Sequence, residues 1–401
     1  MTSLLRVAAP LVFGLVSGLA LGLTSELAAA DPALLAFSAQ ELQRIQRHGP
    51  WPPGPPTDAG NALSGNAQAI ALGQLLFSDK RLSVGSAMSC ATCHMPAKAF
   101  SDGRARGLGR EPLDRNTPSI WNAGHERWYG WDGAADSIWS QSIRALSSTQ
   151  EMNTNAAHIA KVIQGDNDLA CRWRQLFGQA VADDPQNSLV HAAKALGAFN
   201  ASLVSAPTPF DEFRVALAQG DTAGAARYPP DAQRGLRIFV GRGQCHLCHT
   251  GPLFSNGEFA DIGMPFFVRP GEVDTGRHGG IQALEMSAYN LLSRWADPSA
   301  DSVKTRHVAL QHRNFGEFKV PSLRNLSHTA PYMHDGQLPT LESVVNHYSN
   351  LNLDRLHADG DQILQPLRLA ANESADLVAF LRTLSGPQSG RWQPAPLPPC
   401  R

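Results

Sequence analysis

The chain has 401 residues, enough for two domains of ordinary size, each with its own core. Its 34 basic and 35 acidic residues nearly cancel and form no long run of one sign, which argues against a nucleic-acid partner, since that would need a basic face. Gly and Pro are frequent, at 35 and 28 residues, so long connections between elements are expected.

Residues 1–30 read as an export signal. Arg6 gives the positive start, 7–23 are apolar and uncharged, and Ala28-Ala29-Ala30 offers the small side chains a signal peptidase needs. An uncleaved anchor is the alternative, at the short limit for a span. No later stretch resembles a membrane segment, so a periplasmic protein is expected.

After the signal, Ser38-Ala39-Gln40-Glu41 has the form of a capping box, opening a helix with Leu42 and Ile45 on one face. The proline-rich stretch from Gly49 to Pro56 stops it. Leu189, Ala193, Leu196, Phe199 and Leu203 recur at helical spacing before Pro207-Thr208-Pro209. Leu377, Phe380, Leu381 and Leu384 do the same before Gly386-Pro387. Thr340 reads as an N-cap, with Leu341, Val344, Val345 and Tyr348 following on one face. No stretch alternates with period two, so the fold is expected to be all-α. The join between two domains, 31–225 and 226–401, is placed at the Gly-, Ala- and Pro-rich stretch from Gly220 to Pro230.

Cys90-Ala91-Thr92-Cys93-His94 and Cys245-His246-Leu247-Cys248-His249 are two CxxCH motifs, the attachment signature of c-type haem. The thiols add to the haem vinyl groups, and the adjacent His, here His94 and His249, ligates the iron. With six Cys and 14 His in the chain, chance gives about 0.003 such motifs, so two of them carry weight. A zinc site would instead want its Cys and His gathered in one tetrahedral set. Gly73-Gln74-Leu75-Leu76-Phe77 precedes the first motif and Gly235-Leu236-Arg237-Ile238-Phe239 the second. Phe100-Ser101 and Phe254-Ser255 follow them, a weak internal repeat. The two remaining cysteines, Cys171 and Cys400, either pair in an oxidising compartment or stay as thiols.

Three further stretches carry a family resemblance: Arg115-Asn116-Thr117-Pro118-Ser119; Trp131-Asp132-Gly133 with Gln141 and Glu151 downstream; and Phe318 to Asn325 running through Tyr332-Met333-His334-Asp335-Gly336 to Glu342. Together with both CxxCH motifs they make the chain similar to the bacterial di-haem cytochrome c peroxidase superfamily. The resemblance implies two cytochrome c-like haem domains in tandem with long loops, and two covalently bound haem c groups. The haem on His94 would react with hydrogen peroxide and the haem on His249 would relay electrons. Trp131 would lie between them, Gln141 and Glu151 would line the peroxide pocket, and Asn116 with the carbonyls of Thr329 and Pro331 would hold calcium.

Two departures refine this. Many members place a capping His in the loop after the first motif, whereas Phe100 to Arg115 contains none, and the aligned residues are Arg106-Gly107-Leu108-Gly109. The first haem is therefore expected to be open or water-ligated. Ala145 also replaces a common pocket proline. At the position where many members have a methionine ligand stands Tyr348, the pattern of the MauG-like subgroup. A phenolate favours ferric and higher states more than a thioether does. Met333, His334 and His347 are competing ligands for the second haem. Gly243 stands where MauG uses a tryptophan to draw electrons from its protein substrate, leaving Trp295 or Trp392 as other routes. The expectation is a periplasmic di-haem peroxidase acting on an external redox protein or an oxidisable side chain of a partner. A peroxide-detoxifying cytochrome c peroxidase and a non-enzymatic di-haem electron carrier are the alternatives.

Overall fold

The computed structural model describes residues 34–181, 184–264, 267–298, 302–353, 363–386 and 396–400. The signal segment and Trp392 lie outside the described residues. Among those described, no helix is long and apolar enough to cross a membrane.

The expected capping box is present. Ser38 Oγ accepts from the Glu41 N–H at 3.3 Å and the Glu41 carboxylate accepts from the Ser38 N–H at 2.7 Å, opening the helix Ala39–Gln46. Its buried residue, Ile45, does not pack with the chain that follows it directly. It belongs to the core around the second haem motif.

Two large hydrophobic clusters organise the fold. The first is built by the helices Ala67–Ser78, Ile138–Ser147, Ala156–Gln164, Asn167–Phe177 and Pro185–Ser202. The second is built by Ala39–Gln46, Pro209–Gln219, Pro230–Val240, Leu341–Ser349 and Ala371–Arg382. The stretch Gly220 to Pro230, expected as the join, runs between two helices of this same second core. Phe210 and Phe213 anchor the earlier of these helices there, and a buried Arg324–Asp211 pair at 2.8 Å ties it to the loops below.

In each core the helix that leads into a CxxCH motif crosses a long later helix at a glycine. A Cβ on Gly73 would lie 2.0 Å from the Ala195 carbonyl oxygen, and one on Gly235 would lie 1.9 Å from that of Asp376. Any side chain would force the backbones apart, so the repeated Gly-x-x-x-Phe sets how closely the helices approach. The phenylalanine four residues on, Phe77 or Phe239, is buried beneath the crossing.

The all-α expectation holds as a helix-rich fold. To it are added two antiparallel pairs, Phe259–Ala260 with Phe318–Lys319 and Phe267–Arg269 with Glu272–Val273. Pieces of two or three residues are too short to display a period of two, which is why the sequence pattern does not betray them. Cys171 and Cys400 are joined in a disulfide, so the C-terminal tail returns to the helix Asn167–Phe177 of the first core. The Cys400 N–H also donates to Asp168 at 2.6 Å.

Candidate active site

Cys90–Cys93 form a single helical turn, and the His94 N–H closes it on the Cys90 carbonyl at 2.8 Å. The second motif makes the same bond, His249 to Cys245, at 2.9 Å. In both the imidazole then finds a carbonyl: His94 Nδ1 lies 3.1 Å from the Phe100 oxygen and His249 Nδ1 lies 2.9 Å from that of Phe254. A carbonyl only accepts, so Nδ1 carries the proton and Nε2 keeps its lone pair for a metal. Burial holds both imidazoles below their usual range, which keeps them neutral. The accepting phenylalanines hold left-handed backbone, φ 57° and 54°, and are fully buried. Their rings fix the loop: Phe100 against Phe77 and Trp121, Phe254 against Phe210 and Phe239.

All four motif cysteines are free of disulfides. Burial pushes the Cys90 and Cys245 thiols up to about 12 and Cys93 to about 11. Among the described residues, no group of three or more His, Cys, Asp and Glu side chains is arranged as a metal site. The residues therefore fit two haem c groups, each with a neutral, oriented His on one face.

The surroundings of the two motifs differ. Glu151 is half-buried, and its charge is felt at both Cys90 and Cys93. Burial raises its carboxyl above the usual 4.5, against the opposing pull of a Ser148 hydrogen bond and the Arg144 charge. Gln141 lies on the helix Ile138–Ser147, whose first N–H groups are capped by Ser137 and by Asp58, the latter at 2.7 Å from Ile138 and 3.1 Å from Trp139. Its Oε1 is buried without a hydrogen-bond partner, and so is Nε of Arg144 one turn later. Arg144 was not among the candidates from sequence; only its i+3 spacing from Gln141 points to it.

The Phe100–Arg115 loop, without a histidine, is a tight turn. Gly107 N–H bonds to Arg115 and Leu113 N–H bonds back to Gly107, each at 2.9 Å. Gly109 lies so near the Glu151 segment that a Cβ there would be 2.2 Å from the Gln150 oxygen.

Trp131 is tied to both halves of the chain. Its indole N–H donates to the Asn116 carbonyl at 2.9 Å, and its own carbonyl accepts from the Lys319 N–H at 2.8 Å. The Asn116 N–H in turn bonds to His334 at 2.7 Å. Asn116 Nδ2 donates to the Arg104 carbonyl at 2.7 Å, which leaves Oδ1 as the free acceptor of that amide. Asn116 is thus tied to the segment that carries Thr329 and Pro331, five and three residues before His334. Arg115 bridges the halves with ion pairs to Asp132 at 2.6 Å and Asp274 at 2.7 Å.

The internal repeat extends much further than the haem motifs. Pro118-Ser119 matches Pro321-Ser322, and each pair's serine donates to the loop below its haem histidine, to Ala99 at 2.6 Å and to Leu253 at 2.8 Å. Asn122 and Asn325 both hold φ near 65°, at 65° and 67°. Tyr129 bridges to Ala135 as Tyr332 does to Leu338, around Gly133 and Gly336, both at φ 65°. Ser137 and Thr340 then cap matching helices. The offset is constant, so Trp131 corresponds to His334, and the eighth residue after each cap is Ala145 in the first half and Tyr348 in the second. Burial, and then the nearby Cys245 and Cys248, raise the Tyr348 phenol above its usual range, which places it beside the second motif. Ala145 offers a methyl group where Tyr348 offers an oxygen.

A profile of the family described as di-haem cytochrome c peroxidase matches residues 67–219. Methylamine utilization protein MauG of Methylorubrum extorquens is 34% identical over 357 residues, 88% of this chain and 88% of that protein. The chain belongs to the di-haem cytochrome c peroxidase family.

This di-haem peroxidase is also similar to cytochrome-c peroxidase IdrP2 of Pseudomonas sp. (strain SCT), 32% identical over 372 residues, 92% of this chain and 91% of that one. Among solved structures, a MauG-like protein associated with microbial copper homeostasis aligns with TM-score 0.63 at 26% identity, over 85% of this chain and 96% of that one. The diheme peroxidase BthA from Burkholderia thailandensis shares the fold, with TM-score 0.65 at 23% identity over 82% of this chain and 88% of that one.

Within the peroxidase the competing ligands at the second site differ in their surroundings, and His334 Nδ1 is buried without a hydrogen-bond partner. His347 Nε2 donates to the Ile262 carbonyl at 2.8 Å, and the His334 ring stacks on Phe318 at 3.5 Å between centroids. Met333 holds left-handed backbone at φ 74°. Gly243 is confined: a Cβ there would lie 2.7 Å from the Ile238 oxygen, so a tryptophan would require the backbone to move.

Proposed function

We propose that this di-haem peroxidase is an exported, MauG-like enzyme with two unequal haem sites, built as two cytochrome c-like units that meet near residue 205. In this reading peroxide would react at the site of Cys90, Cys93 and His94, and Tyr348 would help to hold the haem iron at the site of Cys245, Cys248 and His249. The observation that carries it is the matched position, Ala145 in one half and Tyr348 in the other. An alanine methyl cannot coordinate iron and leaves room, whereas a phenolate closes the face and favours ferric and higher states.

When bound, the haem groups supply the iron that meets peroxide and the store of oxidising equivalents. The chain supplies the rest. Gln141 and Arg144 orient the peroxide with the buried polar atoms that lack partners. The Glu151 carboxylate would take a proton from the inner peroxide oxygen and return it to the outer one, which makes water the leaving group, the two electrons that the cleavage needs coming from the bound haem. The Trp131 indole passes electrons between the sites; its N–H becomes more acidic on oxidation, and the Asn116 carbonyl that accepts it stabilises that state. Asn116 Oδ1 with the Thr329 and Pro331 carbonyls holds a calcium ion, all-oxygen donors of the kind that cation takes.

The electrons come from a small redox protein or an oxidisable side chain of a partner protein. The confined Gly243 favours the redox protein, because the tryptophan route through this position has no room. The test is Tyr348→Phe. The low-spin ferric signal should change while the high-spin signal stays. An unchanged spectrum would overturn tyrosine ligation.

A further inference from the structure

A cleft of about 400 Å³ opens behind the Trp131 loop, within the usual size for a small-molecule site. Its inner wall is Trp128, Phe259 and Arg277. Its other charged lining includes Arg127, Lys304 and Arg313 against Glu258 and Glu317, an excess of positive charge. Arg277 is 4% exposed, and its guanidinium carbon lies 4.4 Å from the Trp128 ring centroid and 4.0 Å from that of Phe259. One nitrogen, Nη1, donates to the carbonyls of Asp132 and Gly133, at 3.1 and 2.8 Å. Among the described residues no carboxylate lies within ion-pair distance of Arg277, although the charges of Asp132, Glu258 and Glu317 act on it from further off, and its Nε and Nη2 make no hydrogen bond. Desolvation on burial weakens its hold on the proton, yet it stays cationic at neutral pH. A buried guanidinium with two open donors, lining a cleft, is built to take a carboxylate in the paired geometry arginine prefers.

The position of that charge matters for electron flow. Trp128 is 4% exposed and is flanked by a second cation, Lys304 Nζ, at 5.2 Å. It stands three residues before Trp131, so their Cα atoms are at most about 11 Å apart. Lys319 links them, its Nζ donating to the Trp128 carbonyl at 3.2 Å and its N–H to that of Trp131 at 2.8 Å. Two cations over an indole make removal of an electron from it harder. A carboxylate seated on Arg277 cancels part of that field, so Trp128 becomes oxidisable when an anion is bound.

We propose that this cleft admits a second kind of electron donor beside the redox protein, a small organic anion, a diphenol or enediol bearing a carboxylate, with the carboxylate on Arg277 and Trp128 as the port to Trp131. Each donor molecule gives one electron to oxidised Trp128 and releases one proton from a hydroxyl. Two such donations supply the two electrons and two protons with which one hydrogen peroxide becomes two waters. The inference rests on the peroxidase reading for its electron acceptor but not for the binding site itself.

The test uses the haem-loaded protein, first without peroxide. Calorimetry compares 2,5-dihydroxybenzoate with hydroquinone, the same diphenol lacking the carboxylate. Wild type should bind the benzoate at least tenfold more tightly. Arg277→Gln should abolish that difference and Arg277→Lys should keep part of it. Equal binding of the two compounds by wild type, which needs no variant, would overturn the site, as would a difference that survives in Arg277→Gln. With peroxide added, Trp128→Phe should slow oxidation of the benzoate at least tenfold. Tight binding with turnover unaffected by Trp128→Phe would overturn the port while leaving the peroxidase reading intact.

Discussion

At the scale of single residues the account depends on protons and ligands. Glu151→Gln keeps shape and removes the proton carrier, so reaction of the ferric protein with peroxide should slow about 10²- to 10⁴-fold in stopped-flow measurements. In wild type the same rate should fall as pH drops through the Glu151 pKa. Burial raises that pKa, so the acid limb should lie above 4.5, the usual value, and vanish in the variant. The CxxCH motifs were legible because their chemistry dictates residue type and spacing, whereas Gln141 and Glu151 came forward only through the family resemblance. Arg144 was not legible, since a lone arginine on a helix is normally a solvated one. The equivalence of Ala145 and Tyr348 was written in the sequence, in Pro-Ser, Asn, His, Tyr and Asp-Gly recurring at one offset from 118 to 336. It is faint there because the residues between differ in polarity; it becomes plain only when the same φ signs and caps recur.

At the scale of elements the helix crossings decide how the haem motifs are presented. Gly235→Ala puts a methyl into the Asp376 carbonyl and should cost about 1–3 kcal/mol in denaturant unfolding, as should Gly73→Ala against Ala195. A change below the error of the measurement would mean that the helices can separate freely. Two helix starts were legible from their capping side chains, at Ser38 and Thr340, whereas others capped in the same way, such as that at Ser137, were not. The association of Ala39–Gln46 with the second core was not legible either, because an apolar stripe records that a face is buried but not against what. The two short strand pairs were likewise hidden; the Phe318–Lys319 pair forms because the loop below His249 and the Trp131 loop converge on it.

At the scale of the molecule the two halves are held by the Arg115–Asp274 ion pair and by a covalent return of the tail. The Cys171–Cys400 link spans 229 residues of chain. By the chain-entropy account such a closure stabilises by up to about 5 kcal/mol. Cys400→Ser should therefore lower the melting temperature while the Soret spectrum stays as it is. An altered Soret band would mean that the tail also shapes the first haem site. Whether these cysteines pair could not be read from the sequence, since pairing depends on a tertiary approach that spacing does not encode.

The asymmetry between two related halves is the central claim, and the spin states of the ferric protein report it directly. Electron paramagnetic resonance of the protein as isolated, without prior reduction, should show one high-spin and one low-spin haem, with the high-spin signal lost on adding peroxide and the low-spin signal diminished as the oxidising equivalents are shared. Two low-spin signals, both inert to peroxide, would contradict the account.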